Sequence, residues 1–152
     1  MTTQLPPCGL YRTTAAIGAI PSETLVYFHN HGDPGPGLYL PAGWHNNRAK
    51  ISERGNTLPS PEAIAHLEPL PPEGFYRVAE PFHCCEKQCR RFEPETLVQL
   101  GYNGRGQALL FSPELIDGML AVPERGTAID HQHLARIRQL RVPIVNRPAA
   151  VS

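Results

Sequence analysis

Three of the chain's four cysteines fall within six positions, Cys84, Cys85 and Cys89, and His83 directly precedes them. Soft thiolates beside an imidazole suit zinc or copper(I). Lys87, Arg90 and Arg91 follow closely. Nearby positive charge favours the thiolate, which suits metal binding and thiol–disulfide exchange alike. Regular structure does not bring all three thiols to one ion. On a helix Cys85 and Cys89 share a face, while Cys84 points about 100° away. On a strand Cys84 and Cys85 face opposite ways. A loop could gather them, with His83 or Cys8 as fourth ligand. The competing reading is a hairpin tip whose small apolar cysteines pack between Phe82 and Phe92.

A second constellation is His29, His31 and Asp33, with His45 beyond a turn. Alternation on a strand sends His29 and His31 to the same side. Three imidazoles and a carboxylate would suit a catalytic metal with an open coordination position. The pair followed by Pro41-Ala42-Gly43-Trp44-His45 resembles the two metal-binding motifs of cupins. It departs from them in spacing, since only nine residues separate His31 from Pro41. A third candidate is a partner-binding surface of Tyr27, Tyr39 and Trp44 beside the proline-stiffened loop 31–37, as in small barrels that bind peptides. The fourth is basic: Arg136, Arg138, Arg141 and Arg147, with His131 and His133. Lys+Arg 14 cancels Asp+Glu 14 over the whole chain, so uncompensated phosphate contacts are not expected, and neither is nucleic acid as a partner. The sequence has no GxxxxGK[ST] phosphate loop and no GxSxG elbow.

The elements that position these residues are short. Seventeen prolines and thirteen glycines in 152 residues exclude a helical bundle, because each interrupts a helix. No apolar run approaches the roughly 20 residues of a membrane span. The N-terminus lacks the basic start and apolar middle of a secretory signal. The expectation is a cytoplasmic protein with no membrane partner, whose cysteines are thiols or ligands rather than structural disulfides.

The sequence also repeats. LPPCGLYR (5–12) matches LPPEGFYR (70–77) at six of eight positions. Four further blocks recur in order: 23–26 with 95–98, 38–41 with 110–113, 53–55 with 124–126, and 64–70 with 134–140. The five offsets are 65, 72, 72, 71 and 70. Matches in the same order at nearly constant spacing point to an internal duplication. The units are then 1–69 and 70–143, the second with a cysteine-rich insertion, followed by a tail, 144–152.

Each unit reads as three to five short strands. Val26 and Phe28, and Val98 and Leu100, form the inward face, while Tyr27, His29 and His31, and Gln99, Gly101 and Asn103, face out. Asn103-Gly104 is a hairpin signal. Asp130–Arg141 reads as a terminal amphipathic helix or turn, with Asp130 as cap and Leu134, Ile137 and Leu140 on one face. The layout resembles tandem SH3-like barrels, each ending in a short helix or turn. The leading functional expectation is a non-catalytic module that binds a protein or peptide. The alternatives are a zinc, copper or thiol-redox protein using His83, Cys84, Cys85 and Cys89, and a metal-dependent enzyme using His29, His31, Asp33 and His45.

Overall fold

The computed structural model describes residues 5–31 and 35–145. Strands dominate it. The first half holds β1 (Gly9–Thr13), β2 (Leu25–His29), β3 (Gly37–His45), β4 (Arg48–Thr57) and β5 (Leu67–Pro69). The second half holds β6 (Gly74–Val78), β7 (Phe82–His83), β8 (Arg91–Phe92), β9 (Leu97–Tyr102), β10 (Ala108–Phe111), β11 (Glu114–Ile116), β12 (Met119–Ala121), β13 (Thr127–Ala128) and β14 (Ile137–Gln139). Two antiparallel five-stranded sheets result, ordered β4-β3-β2-β1-β5 and β13-β10-β9-β6-β14. The pairs β7–β8 and β11–β12 form separate hairpins. A 3-10 turn precedes the last strand of each sheet, at Pro61–His66 and His131–Arg136. Among the described residues, neither sheet closes on itself by pairing its two outer strands, so the expected closed barrels are not seen. No helix among them is long and apolar enough to cross a membrane.

Alternation explains the cores. Val26 and Phe28 on β2 and Val98 and Leu100 on β9 are completely buried. Val26 and Phe28 join Tyr11, Ile17, Ile20, Leu38 and Ala63 in a core belonging to the first sheet. The larger core is shared. Leu10 and Leu25 of the first half join Val78, Val98, Leu100, Tyr102 and Leu110 of the second, with Tyr27, Ala49 and Ile51 packed at its margin.

The long β3–β4 hairpin makes a further contact between the halves, beside the bond from the Leu25 N–H to the Gly104 carbonyl at 2.9 Å and that from Arg12 Nε to the Arg105 carbonyl at 3.1 Å. Its strands shift register around Pro41, where a missing N–H breaks the ladder. Its tip, Asn46-Asn47, has both residues at positive φ (51° and 66°), the pattern of a tight type I′ turn. Across from the tip, the Asn47 side-chain amide donates to Gln99 Oε1 at 2.9 Å and to the Pro123 carbonyl at 3.0 Å. Gln99 donates back to the Asn46 carbonyl at 3.0 Å. Beside the turn, the Ala49 N–H donates to Glu73 at 2.9 Å.

Three sequence expectations change here. Gln99 and Gly101 are buried rather than outward, because this hairpin covers them. Asn103-Gly104 forms no tight two-residue turn. Asn103 Oδ1 instead accepts the N–H groups of Arg105 (2.9 Å) and Gln107 (3.0 Å), bridging a longer loop. The short helix or turn expected over Asp130–Arg141 is present as a 3-10 turn, but it gives way to β14 at Ile137 and the expected Asp130 side-chain cap is not made. Pairing of Ile137–Gln139 with β6 claims the backbone that a helix would have used.

Candidate functional site

Only one group of three or more ligand-type side chains converges among the described residues: Cys8, His29 and His31, with donor atoms within 4.8 Å of one another. Register makes it. Gly9 lies opposite Phe28, so Cys8 arrives beside the end of β2, where His29 and His31 project to one side. The two imidazoles lie against each other with ring centres 3.9 Å apart. Asn30 organises the group. Its Oδ1 accepts from the Cys8 thiol at 3.2 Å and from His31 Nδ1 at 2.8 Å, and its own N–H donates to Cys8 Sγ at 3.3 Å. Cys8 Sγ and His31 Nδ1 are 3.9 Å apart. A thiolate and two neutral imidazoles are a donor set that zinc accepts, leaving one position open.

The histidine pair thus keeps its expected common side, but its other expected companions do not join it. His45 is eight residues along β3 from Gly37, the residue opposite His29. At about 3.3 Å per residue this puts it roughly 25 Å away. Asp33 lies outside the described residues. Cys8, weighed earlier only as a ligand for the other cysteines, takes their place. The sequence did carry a signal for it: Cys8 stands where the second LPPxGxYR block has Glu73.

Beside this group runs an open cleft of about 290 Å³ lined by Tyr27, His29, Tyr39, Ile51, Ser52 and Glu53. Tyr27 and Tyr39 are cross-strand partners. Gly55 pairs with Tyr39 across β3 and β4 and leaves room for its ring, since a Cβ there would lie 2.7 Å from it. Trp44 does not belong to this surface. It donates from Nε1 to the Tyr102 carbonyl at 2.8 Å and helps hold the β3–β4 hairpin on the second sheet.

The cysteine-rich insertion forms the β7–β8 hairpin. Phe82 and Phe92 stack at 5.1 Å, with Cys84 buried behind them, Cys85 half-buried and Cys89 exposed. All are free thiols, and Cys84 Sγ lies 3.7 Å from Cys85 Sγ. The backbone N–H of Lys87, then the Cys84 thiol, pull the Cys85 pKa down. The neighbouring Cys85 thiolate pushes that of Cys89 up. His83 and Cys85 line a shallow cavity of about 280 Å³ with His133, Asp130 and Arg136. His133 stacks on Phe82 at 4.8 Å, and its buried Nδ1 has no hydrogen-bond partner. Burial, with Arg136 adding to it, pushes the His133 pKa down.

On the β11–β12 hairpin, Leu115, Ile116, Met119 and Leu120 are 75%, 53%, 73% and 59% exposed. Four adjacent large apolar side chains in water are uncommon on a monomer surface. Sequence reasoning missed them, because ELIDGMLA reads equally well as a buried strand pair.

No family model matches the chain, and no curated protein or solved structure matches it.

Proposed function

We propose that the chain is a non-catalytic binding module made of two copies of one small SH3-like unit, 1–69 and 70–143, and that its first unit takes up an apolar segment of a protein or peptide. The duplication draws support from pairs of details at the repeat offsets. Tyr11 donates to the Pro7 carbonyl at 2.7 Å, and Tyr76 to that of Pro72 at 2.6 Å. Arg12 pairs with Glu23 at 3.3 Å, and Arg77 with Glu95 at 2.9 Å. Glu23 and Glu95 both turn at positive φ, 56° and 67°. Gly55 leaves space for the ring of Tyr39, and Gly126 for that of Phe111. In each sheet the last strand pairs with the first after a 3-10 turn, the strand layout of a small barrel.

The observation that carries the binding reading is the Tyr27–Tyr39–Ile51 cleft. It is a concave apolar surface open to water, with Ser52, Glu53 and His29 placed to orient what enters. Selection from a random-peptide display library tests it. Peptides enriched in aromatic and branched side chains are expected, with binding abolished by Tyr27→Ala or Ile51→Ser. No enrichment, or enrichment indifferent to both changes, overturns the reading.

A second reading rests on the converging donors: Cys8, His29 and His31 hold one zinc ion. Purified protein should then carry about one zinc per chain, as a three-ligand site with an open position does. Cys8→Ser and His31→Ala should release it, and Cys85→Ser should not. Zinc that survives Cys8→Ser, or leaves with Cys85→Ser, sinks this site.

A further inference from the structure

Among the described residues, the β3–β4 and β11–β12 hairpins stand at matching places in the two halves, and the first alone is covered. The β3–β4 tip rests on the outer face of β9, over Gln99 and Gly101. A Cβ at Gly101 would lie 2.6 Å from the Asn47 carbonyl oxygen, so the approach needs a glycine there. The β11–β12 hairpin has the same turn geometry, with Asp117 and Gly118 at φ 51° and 78°. It stands in solvent with its four apolar side chains exposed. By the repeat offsets, the platform of Gln99, Gly101, Phe111 and Glu124 corresponds to Tyr27, His29, Tyr39 and Glu53. Those four residues all line the open cleft of the first sheet.

We infer that the β11–β12 hairpin of one copy docks in the Tyr27–Tyr39 cleft of a second copy, so that the chain assembles head to tail. This rests on the two-unit reading and names the partner for its cleft. Inside the chain, the corresponding element already docks on the corresponding face. The differences between the two hairpins and the two platforms are complementary. At the tip, Asn47 gives way to Gly118, and on the platform Gly101 gives way to His29, so bulk moves from one partner to the other. Polarity changes on both sides together. Asn46, Asn47 and Gln99 hydrogen-bond across the internal contact. In the intermolecular one, Leu115, Met119 and Leu120 would meet Tyr27, Tyr39 and Ile51. The cleft's lining carries one charged side chain, Glu53, and residues 114–121 carry Glu114 and Asp117, so the contact rests on apolar packing rather than on charge. Hairpin and cleft are different surfaces, so the contact is heterologous and need not stop at a dimer. One hairpin buries little area, so association in the micromolar range is expected.

Sedimentation velocity on the full chain, over a concentration series to about 1 mM, tests this. The mass should rise with concentration beyond that of a dimer. Leu115→Asp with Leu120→Asp should make the protein monomeric, and so should His29→Glu, which sets an acid against Asp117. Circular dichroism checks that both remain folded. If His29→Glu does not fold, Ser52→Trp fills the cleft from its rim. Mixed together, the hairpin variant and the cleft variant retain one good surface each, and should form a dimer that grows no further. A dimer abolished by the hairpin change but indifferent to both cleft changes would mean two-fold pairing of hairpins and would overturn the proposal. Wild-type protein that stays monomeric throughout would also overturn it. If such a monomer still selects library peptides through Tyr27, the binding-module reading survives. If it selects none, both fall.

Discussion

The two halves keep the same strand order but spend their connections differently. Between β1 and β2 the chain makes a short link, and Ile17 and Ile20 turn into the first core. Between β6 and β9 a longer link raises the β7–β8 hairpin, with three cysteines and a histidine. Beyond the third strand of each sheet the contrast reverses. The first half's hairpin is polar at its tip and covered, and the second half's is apolar and bare. Paired strands and inward side chains constrain the frame, so change there is costly. Loops and hairpin tips carry few of those constraints, and difference collects in them.

The sharpest break in this comparison should come at Gly101. Gly101→Val forces a branched side chain against the Asn47 backbone and should cost about 1–3 kcal/mol in a urea titration, as overpacking does. His29→Val, at the corresponding place beneath no hairpin of its own chain, should cost less than about 0.5 kcal/mol. Equal losses would show that the covering hairpin contributes nothing to the difference.

A smaller effect sharpens the likeness. Tyr11→Phe and Tyr76→Phe each remove one hydroxyl bond to a proline carbonyl, so each should cost about 0.5–1.5 kcal/mol. The two losses should agree within about 0.5 kcal/mol. Burial pushes the Tyr76 pKa up to about 12. Its ultraviolet ionisation step should therefore come later than that of an exposed tyrosine and vanish in Tyr76→Phe.

The smallest effect belongs to the second half alone. His133 has a pKa below its ordinary 6.5 in the folded chain. The unfolded chain then binds the proton first, so stability present above pH 6.5 is lost as pH falls through the folded value. The urea midpoint should fall between about pH 7 and about pH 5, and His133→Phe should remove that part of the fall. An unchanged slope in the variant would assign the pH dependence elsewhere.

Much of the frame was legible in residue order. Alternation marked Val26, Phe28, Val98 and Leu100 as inward, because a strand's side chains change face at every step whatever it packs against. Turn chemistry was legible less often. Asn103-Gly104 looked like a tight turn, but the Asn103 side chain bridges two backbone N–H groups and lengthens the loop. The site was half legible. His29 and His31 share a side for local reasons, whereas Cys8 joins them only because β1 and β2 pair in one particular register.

By itself, then, the sequence determined what depends on neighbours along the chain: which side chains share a face, where prolines and glycines interrupt regular structure, and that one block recurs about 70 residues later. Tertiary structure alone decided what depends on distant segments meeting. It set Cys8 beside residues 22 or so positions away, buried Gln99 under a hairpin from the other half, and left Leu115 and Leu120 in water. The physical reason is that period and propensity are properties of the local backbone. Which face is covered depends on which long-range contacts repay the entropy of closing the loops between them.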